Sequence, residues 1–274
     1  YQAAMHPIAV LELKTLFDLR LSGFAPRQGK HFPRLEYDVC DSGNCQCVAF
    51  LHGLADSGLT WTPLIDRILQ EKDSQPYRLW IFELPGSSNS WVKFPNKTPL
   101  TAPKQARAIA EVLNTSCKWT LVANSFGAWI ATFVASILPE HVGHIVLLSP
   151  AGLGLSLEEK KSLTGVFVNP TLQKLKEFRD SAFANPQPIS DRILRNVVYR
   201  TKRNHLLKAL IRVNLEQHSL KDIVPNLKSQ VSIIWGKEDR IIPPSVAATW
   251  KSLNSRIQIT IVENCGHLPH RECT

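Results

Sequence analysis

Six short apolar runs rich in β-branched residues punctuate this chain: Cys47 to Leu51, Leu79 to Glu83, Trp119 to Ala123, His144 to Leu148, Val231 to Trp235 and Ile257 to Val262. Between them lie stretches whose apolar residues recur at helical spacing, among them Trp61 to Leu69, Ala102 to Leu113, Phe126 to Leu138 and Pro244 to Leu253. Strands that are apolar on both faces and alternate with helices need helices packed on each side. The pattern therefore predicts an α/β architecture, a mostly parallel sheet flanked by helices. Pro244 stands in the first turn of its helix, where a missing N–H costs nothing. With 274 residues, 44% of them hydrophobic, the chain accommodates one large domain with a modest insertion.

The alternation stops between Gly152 and Pro225, where helical patterns and Pro-bounded turns follow one another without a strand. We read residues 152–225 as an inserted helical cap, and residues 1–151 and 226–274 as the core. The charge is uneven too. Of the net +9, most sits between Glu158 and Lys228, where fourteen Lys/Arg face seven Asp/Glu. Such a patch attracts anions, so an acidic carrier protein or an anionic membrane surface is the kind of partner expected, with no specific nucleic acid. The stretch from Ile8 to Leu21 reads as an amphipathic helix docked on the domain, since Glu12 and Asp18 interrupt its basic residues. No run of eighteen apolar residues appears. Six cysteines (Cys40, Cys45, Cys47, Cys117, Cys265, Cys273) are few for this length and no signal-peptide pattern opens the chain, so free thiols in a reducing, cytoplasmic setting are the expectation.

Chemistry concentrates where strands end. Leu121-Val122-Ala123-Asn124-Ser125-Phe126-Gly127-Ala128 runs from an apolar strand through a small-residue turn into a helix. A serine on such a turn is exposed at the positive end of a helix, and small neighbours let the turn close. Phe50-Leu51-His52-Gly53-Leu54 ends an earlier strand; its Leu54 N–H, with that of Phe126, forms a natural pair of donors for an oxyanion. His52 reads as a structural residue that fixes this loop, with a tentative place in the pocket. In Gly236-Lys237-Glu238-Asp239, one carboxylate suits the role of orienting an imidazole; Asp239 is the better fit, and the longer Glu238 is expected to point to solvent. Cys265-Gly266-His267 follows the last strand and supplies the base, while His270 is expected to be accessory or on the surface.

The order Ser125, Asp239, His267, each just past a strand, resembles the α/β-hydrolase superfamily, in its cap-bearing esterase, lipase and carbon–carbon hydrolase branch. The resemblance runs from about Tyr37 to Glu272. It includes Trp61 and the acidic Pro-Gly loop Glu83 to Ser90, with Glu83 and Ser87 standing where aspartate and histidine are common. It implies a helix starting near Pro269. It also implies a serine hydrolase that cleaves a carboxylic ester through an acyl-serine intermediate, needing no metal or organic cofactor. Dehalogenases and epoxide hydrolases of the fold carry an aspartate where this chain has Ser125. Specificity is expected to reside in the cap and in Leu54, Phe126 and Trp129, with Gly53, Asn124 and Phe167 also in the pocket. The cap's apolar residues (Leu163, Val166, Phe167, Leu172, Leu175, Phe178, Phe183) favour a medium acyl chain. The alternatives are an ester hydrolase acting on carrier-protein-linked acyl groups, a monoacylglycerol-type lipase, a carbon–carbon bond hydrolase, and a ligand receptor that retains the triad.

Overall fold

The computed structural model describes residues 14–15, 18–40, 45–71, 76–87, 94, 98, 100–215 and 219–273. Its eight-stranded sheet has the order β1-β2-β4-β3-β5-β6-β7-β8, with β1 Ala25–Gln28, β2 Pro33–Asp38, β3 Gln46–Leu51, β4 Tyr77–Phe82, β5 Trp119–Asn124, β6 Val142–Leu148, β7 Gln230–Gly236 and β8 Gln258–Val262. All pairings from β4 across to β8 are parallel, whereas β1–β2 and β2–β4 are antiparallel. The six expected strands are all present. The antiparallel pair is an addition: β1 is exposed along its whole length and β2 buries only alternate residues, so neither forms an apolar run.

Strand alternation divides the core in two. Ala49, Leu51, Leu121 and Ala123 face a cluster completed by α2 (Ala102–Leu113) and α3 (Phe126–Ile137), whereas Phe50 points the other way, against Trp61, Ile65, Leu79 and Ile81. The second cluster is closed by α1, Thr62–Gln70. Helix α3 is buried nearly all round, which explains why its apolar residues show no single stripe. Gly127 lets it seat: a Cβ there would lie 2.4 Å from the Leu51 carbonyl oxygen and 2.5 Å from that of His52.

Between β6 and β7 the chain passes through four helices, α4 Leu157–Val168, α5 Leu172–Ala182, α6 Asp191–Arg203 and α7 His205–Asn214. Helix α4 starts with a full capping box between Ser156 and Glu159, and α5, α6 and α7 are capped by the side chains of Thr171, Ser190 and Asn204. After β7, a short 3₁₀ turn at Pro244–Val246 leads into α8, Ala247–Leu253, and α9, Pro269–Glu272, opens at Pro269. Of the expected N-terminal helix, only Lys14, Thr15 and Asp18 to Leu21 are among the described residues, and they are helical. Ser88 to Ser90 of the acidic loop lie outside them.

The cysteines are not free. They pair as Cys40–Cys45, Cys47–Cys117 and Cys265–Cys273, with Cα separations of 5.8, 6.2 and 6.1 Å, inside the range a disulfide spans. The second pair joins residues 70 positions apart because β3 and β5 are neighbours in the sheet, with Cys47 opposite Trp119. Disulfides persist in oxidising compartments, so the ground for a reducing, cytoplasmic default is gone. Among the described residues no helix is long and apolar enough to cross a membrane.

Candidate active site

The sheet order reverses at β3: the chain goes from β3 to β4 on one side and then to β5 on the other. Loops leaving the carboxyl ends of strands on either side of such a reversal diverge and leave a crevice, the usual ligand site of an open α/β sheet. Here the two loops are His52-Gly53-Leu54 after β3 and Ser125 after β5.

Ser125 adopts φ 52° and ψ −115°, a conformation that strains a residue with a side chain by about 1–3 kcal/mol. Its surroundings hold it there. The Ser125 N–H donates to the Leu148 carbonyl (3.0 Å), and the Ser125 carbonyl accepts from the N–H groups of Trp129 (3.2 Å) and Ala151 (3.1 Å). The Asn124 amide donates both to the Leu148 carbonyl and to the His267 carbonyl, each at 3.0 Å, so the residue before the serine also ties down the histidine loop. Gly53 leaves the approach open, since a Cβ on it would meet Asn124 Oδ1 at 3.0 Å and Ser125 Cβ at 3.5 Å. Phe126 is the first residue of α3, where an N–H has no acceptor within its own helix.

Asp239 is buried and fully engaged. Its Oδ1 accepts from the N–H groups of Ile241 and Ile242, both at 2.9 Å, and its Oδ2 accepts from Trp235 Nε1 (3.2 Å) and His267 Nδ1 (2.8 Å). With the Nδ1 proton directed at the carboxylate, Nε2 is left as the basic nitrogen of the ring. His267 and Ser125 face the same cavity of about 320 Å³. Leu54, Phe126, Gly53, Asn124, Trp129 and Phe167 line it as well. Most of the remaining wall is apolar and comes largely from α4 to α7, including Leu163, Leu175, Phe178 and Ile211. Phe167, Leu175 and Ile211 also pack in a cluster with Val166 and Leu207 against Leu54 and Ala55, so these side chains serve both as a small core and as pocket wall.

Three expectations need correction. His52 does not line the cavity. Its Nε2 accepts from the Leu84 N–H (2.9 Å), which places the ring proton on Nδ1, donating to the Gly53 carbonyl (2.7 Å). Burial holds its pKa below the usual histidine value, against the opposing pull of Asp56 and the Gly53 carbonyl, so it is a neutral brace between two loops. Glu83, beside it, accepts from the Gly58 N–H (3.0 Å) and from Ser87 Oγ (2.6 Å), so the two unusual residues of the acidic loop satisfy each other. Glu238 does not point to solvent: it accepts from the Cys265 N–H (2.8 Å) and shapes the turn before His267. His270 is neither exposed nor in the cavity. It stacks on Trp61 at 4.3 Å between ring centres and meets Thr60 Oγ1 through Nε2 (3.0 Å). Burial, helped by Arg271 and His267, pushes its pKa well below the ordinary value.

Sequence reasoning missed Lys160, Arg179 and Arg271 as residues that line the cavity. For Arg271 a signal existed: it lies only four residues after His267, in the helix expected to start near Pro269.

A strand-elbow-helix serine, a histidine held by a buried aspartate and a crevice at a topological switch define a hydrolase of the α/β type. The chain belongs to the alpha/beta hydrolase family, whose model matches residues 48–273. Among curated proteins it is similar to the 2-hydroxy-6-oxononadienedioate/2-hydroxy-6-oxononatrienedioate hydrolase of Escherichia coli O139:H28, at 26% identity over 85% of this chain and 84% of that protein. Its fold is shared with a membrane phospholipase A described as a bacterial virulence factor (TM-score 0.79, 21% identity, 97% of this chain and 87% of that one). It is shared also with carboxylesterase CesB of Bacillus subtilis (TM-score 0.71, 15% identity, covering 97% and 94%).

Proposed function

We propose that this protein is a serine ester hydrolase with Ser125 as nucleophile, His267 as general base and Asp239 as the residue that orients the histidine. The observation that carries the reading is the 2.8 Å bond from His267 Nδ1 to Asp239 Oδ2, in a residue whose ring shares a cavity with the strained Ser125. Ser125 Oγ bonds to the ester carbonyl carbon as His267 Nε2 takes its proton. The N–H groups of Leu54 and Phe126 receive the negative charge on the carbonyl oxygen. The C–O bond to the alcohol then breaks, and His267 returns the proton to the leaving oxygen. Water, losing a proton to the same nitrogen, cleaves the acyl-serine and frees the acid. Residues 152–225 act as a cap over this site, and its apolar wall supports a medium acyl chain as the group held. The disulfides favour an oxidising compartment over the cytoplasm as its place of action.

The test is hydrolysis of p-nitrophenyl esters from two to sixteen acyl carbons by the native chain and by Ser125→Ala. An optimum at intermediate length, lost in the variant, is the expected result; unchanged turnover in Ser125→Ala removes the site. A second reading, carbon–carbon bond hydrolysis, draws on the curated relative at 26% identity. Faster turnover of a vinylogous 1,5-diketone acid than of any simple ester would put it first. The basic residues of 158–228 leave two settings for the ester, an acidic carrier protein or an anionic membrane, and low-salt enhancement by one of them separates the two.

A further inference from the structure

The cavity that holds Ser125 and His267 is apolar along α4 to α7 but not throughout. Lys160, Arg179 and Arg271 line it, and Asp56 is the only carboxylate among the lining residues. Arg179 is engaged, since its Nε and a terminal nitrogen both donate to Asp180 Oδ1. Lys160 and Arg271 have no ion pair or side-chain hydrogen bond among the described residues; each instead lies near an aromatic ring, Lys160 Nζ 5.9 Å from the centre of Trp129 and Arg271 Cζ 5.6 Å from that of Phe183. Asp56 keeps its charge: one oxygen accepts from the Ser57 N–H (2.9 Å) and the other is buried without a hydrogen-bond partner among the described residues, so three cationic residues and one carboxylate line the cavity.

Two cations without carboxylate partners, on the wall of a largely apolar cavity, are a binding device for an anion. Lys160 is half-buried and Arg271 exposed, and a cation held partly out of water, as Lys160 is, gains more from an anionic ligand than one on an open surface, because screening is weaker there. Their placement relates to the reaction. Arg271 lies in α9, which opens two residues after His267, and His267 is the group that delivers a proton to the departing alcohol. Lys160 covers Trp129, which follows the nucleophile by one turn of α3 and packs edge-on against Phe126 at 5.8 Å. The acyl chain is left the apolar wall formed by Leu163, Phe167, Leu175, Phe178 and Ile211.

We propose that the substrate is an ester whose alcohol part bears an anionic group, phosphate or carboxylate, received by Lys160 and Arg271. This rests on the ester-hydrolase reading above and specifies its substrate class. The alcohol leaves carrying its anion, with its oxygen protonated by His267, so no further co-reactant enters the balance.

Three octanoyl esters with different alcohols test it: glycerol 3-phosphate, glycolate and, as the neutral reference, glycerol. For the native chain, kcat/KM on at least one anionic ester is expected to exceed that on the neutral ester by about tenfold to a hundredfold, the range for charge-assisted contacts. The more favoured of phosphate and carboxylate identifies the anion. In Lys160→Met and Arg271→Met the ratio of anionic to neutral turnover falls towards one, and Lys160→Arg restores it. Should the variants unfold, octyl phosphate and octanoate-glycolate analogues, tried as competitive inhibitors of neutral-ester hydrolysis by the native chain, are expected to outcompete octanol. A ratio near one on both anionic esters, or a ratio that survives both Met substitutions, overturns the proposal while leaving the esterase reading intact. No turnover of the neutral ester or either anionic ester removes both.

Discussion

Replacing Asp239 by Asn tests the triad geometry with little change of shape. Asp239 accepts four hydrogen bonds: two from the adjacent amides of Ile241 and Ile242 on Oδ1, and two, from Trp235 Nε1 and His267 Nδ1, on Oδ2. An asparagine has one acceptor oxygen and one NH2 group. Turning the NH2 toward the two amides would set donors against two donors, at about 1–3 kcal/mol for each bond lost in a buried site. The oxygen therefore takes the Oδ1 position and the NH2 faces His267. Trp235 Nε1 still donates to the Ile242 carbonyl at 2.9 Å, so its loss is partial, and the net cost to stability is about 1–2 kcal/mol. The consequence for the histidine is larger. An NH2 group opposite Nδ1 favours the tautomer with the proton on Nε2, which leaves no basic nitrogen facing Ser125. In the worked case of a serine protease triad the same exchange lowers kcat by about 10⁴-fold with the geometry intact. The assay is kcat on a p-nitrophenyl ester of medium chain, with thermal unfolding as the control. A Tm lowered by a few degrees with activity down by about three to four orders of magnitude is expected; an Asp239→Asn enzyme retaining a tenth or more of native kcat refutes the orientation argument.

Gly127→Ala drives a methyl into the Leu51 and His52 carbonyls, and is expected to lower the urea midpoint by the equivalent of about 2–4 kcal/mol, or to prevent soluble folding. His270 has a folded pKa well below its unfolded value of about 6.5. The unfolded chain thus binds a proton first, so stability is full above about pH 6.5 and falls as the pH drops from there toward the folded pKa. Urea unfolding at pH 7.5 and 5 should show that loss, and His270→Phe, which keeps the ring against Trp61, should flatten it; an equal slope in the variant counts against His270 as the source. Reducing Cys265–Cys273, which closes the loop carrying His267, is expected to cost about 2–3 kcal/mol, read as a lower Tm in dithiothreitol that the Cys265→Ser/Cys273→Ser double variant reproduces without reductant.

Much of the site was legible because its chemistry is local. An apolar strand, the small-residue turn Asn124-Ser125-Phe126-Gly127 and a helical pattern follow one another directly, and Asp239 and His267 each come just after an apolar run. Their order along the chain, combined with the resemblance, was enough to bring them together on paper. The apolar residues of α4 and α5 were legible as pocket wall by composition, and the contacts show that Phe167 and Leu175 also form a small core: in a layer one side chain thick, a residue packed against Leu54 also borders the cavity.

What the sequence alone determined was the succession of elements and the identity of the groups at strand ends, because both depend on residues a few positions apart. Tertiary structure decided what depends on distant chain segments meeting. Cys47 and Cys117 became partners only when β5 settled beside β3, and His52 became a brace only because Leu84 arrived from the end of β4 with an N–H to donate. His270 went into the interior because Trp61 supplied a ring to stack on and Thr60, 210 residues earlier, a hydroxyl to bond. Lys160 and Arg271 share a cavity for the same reason: the helices after β6 fold back over the loop after β8, and spacing along the chain carries no record of that approach.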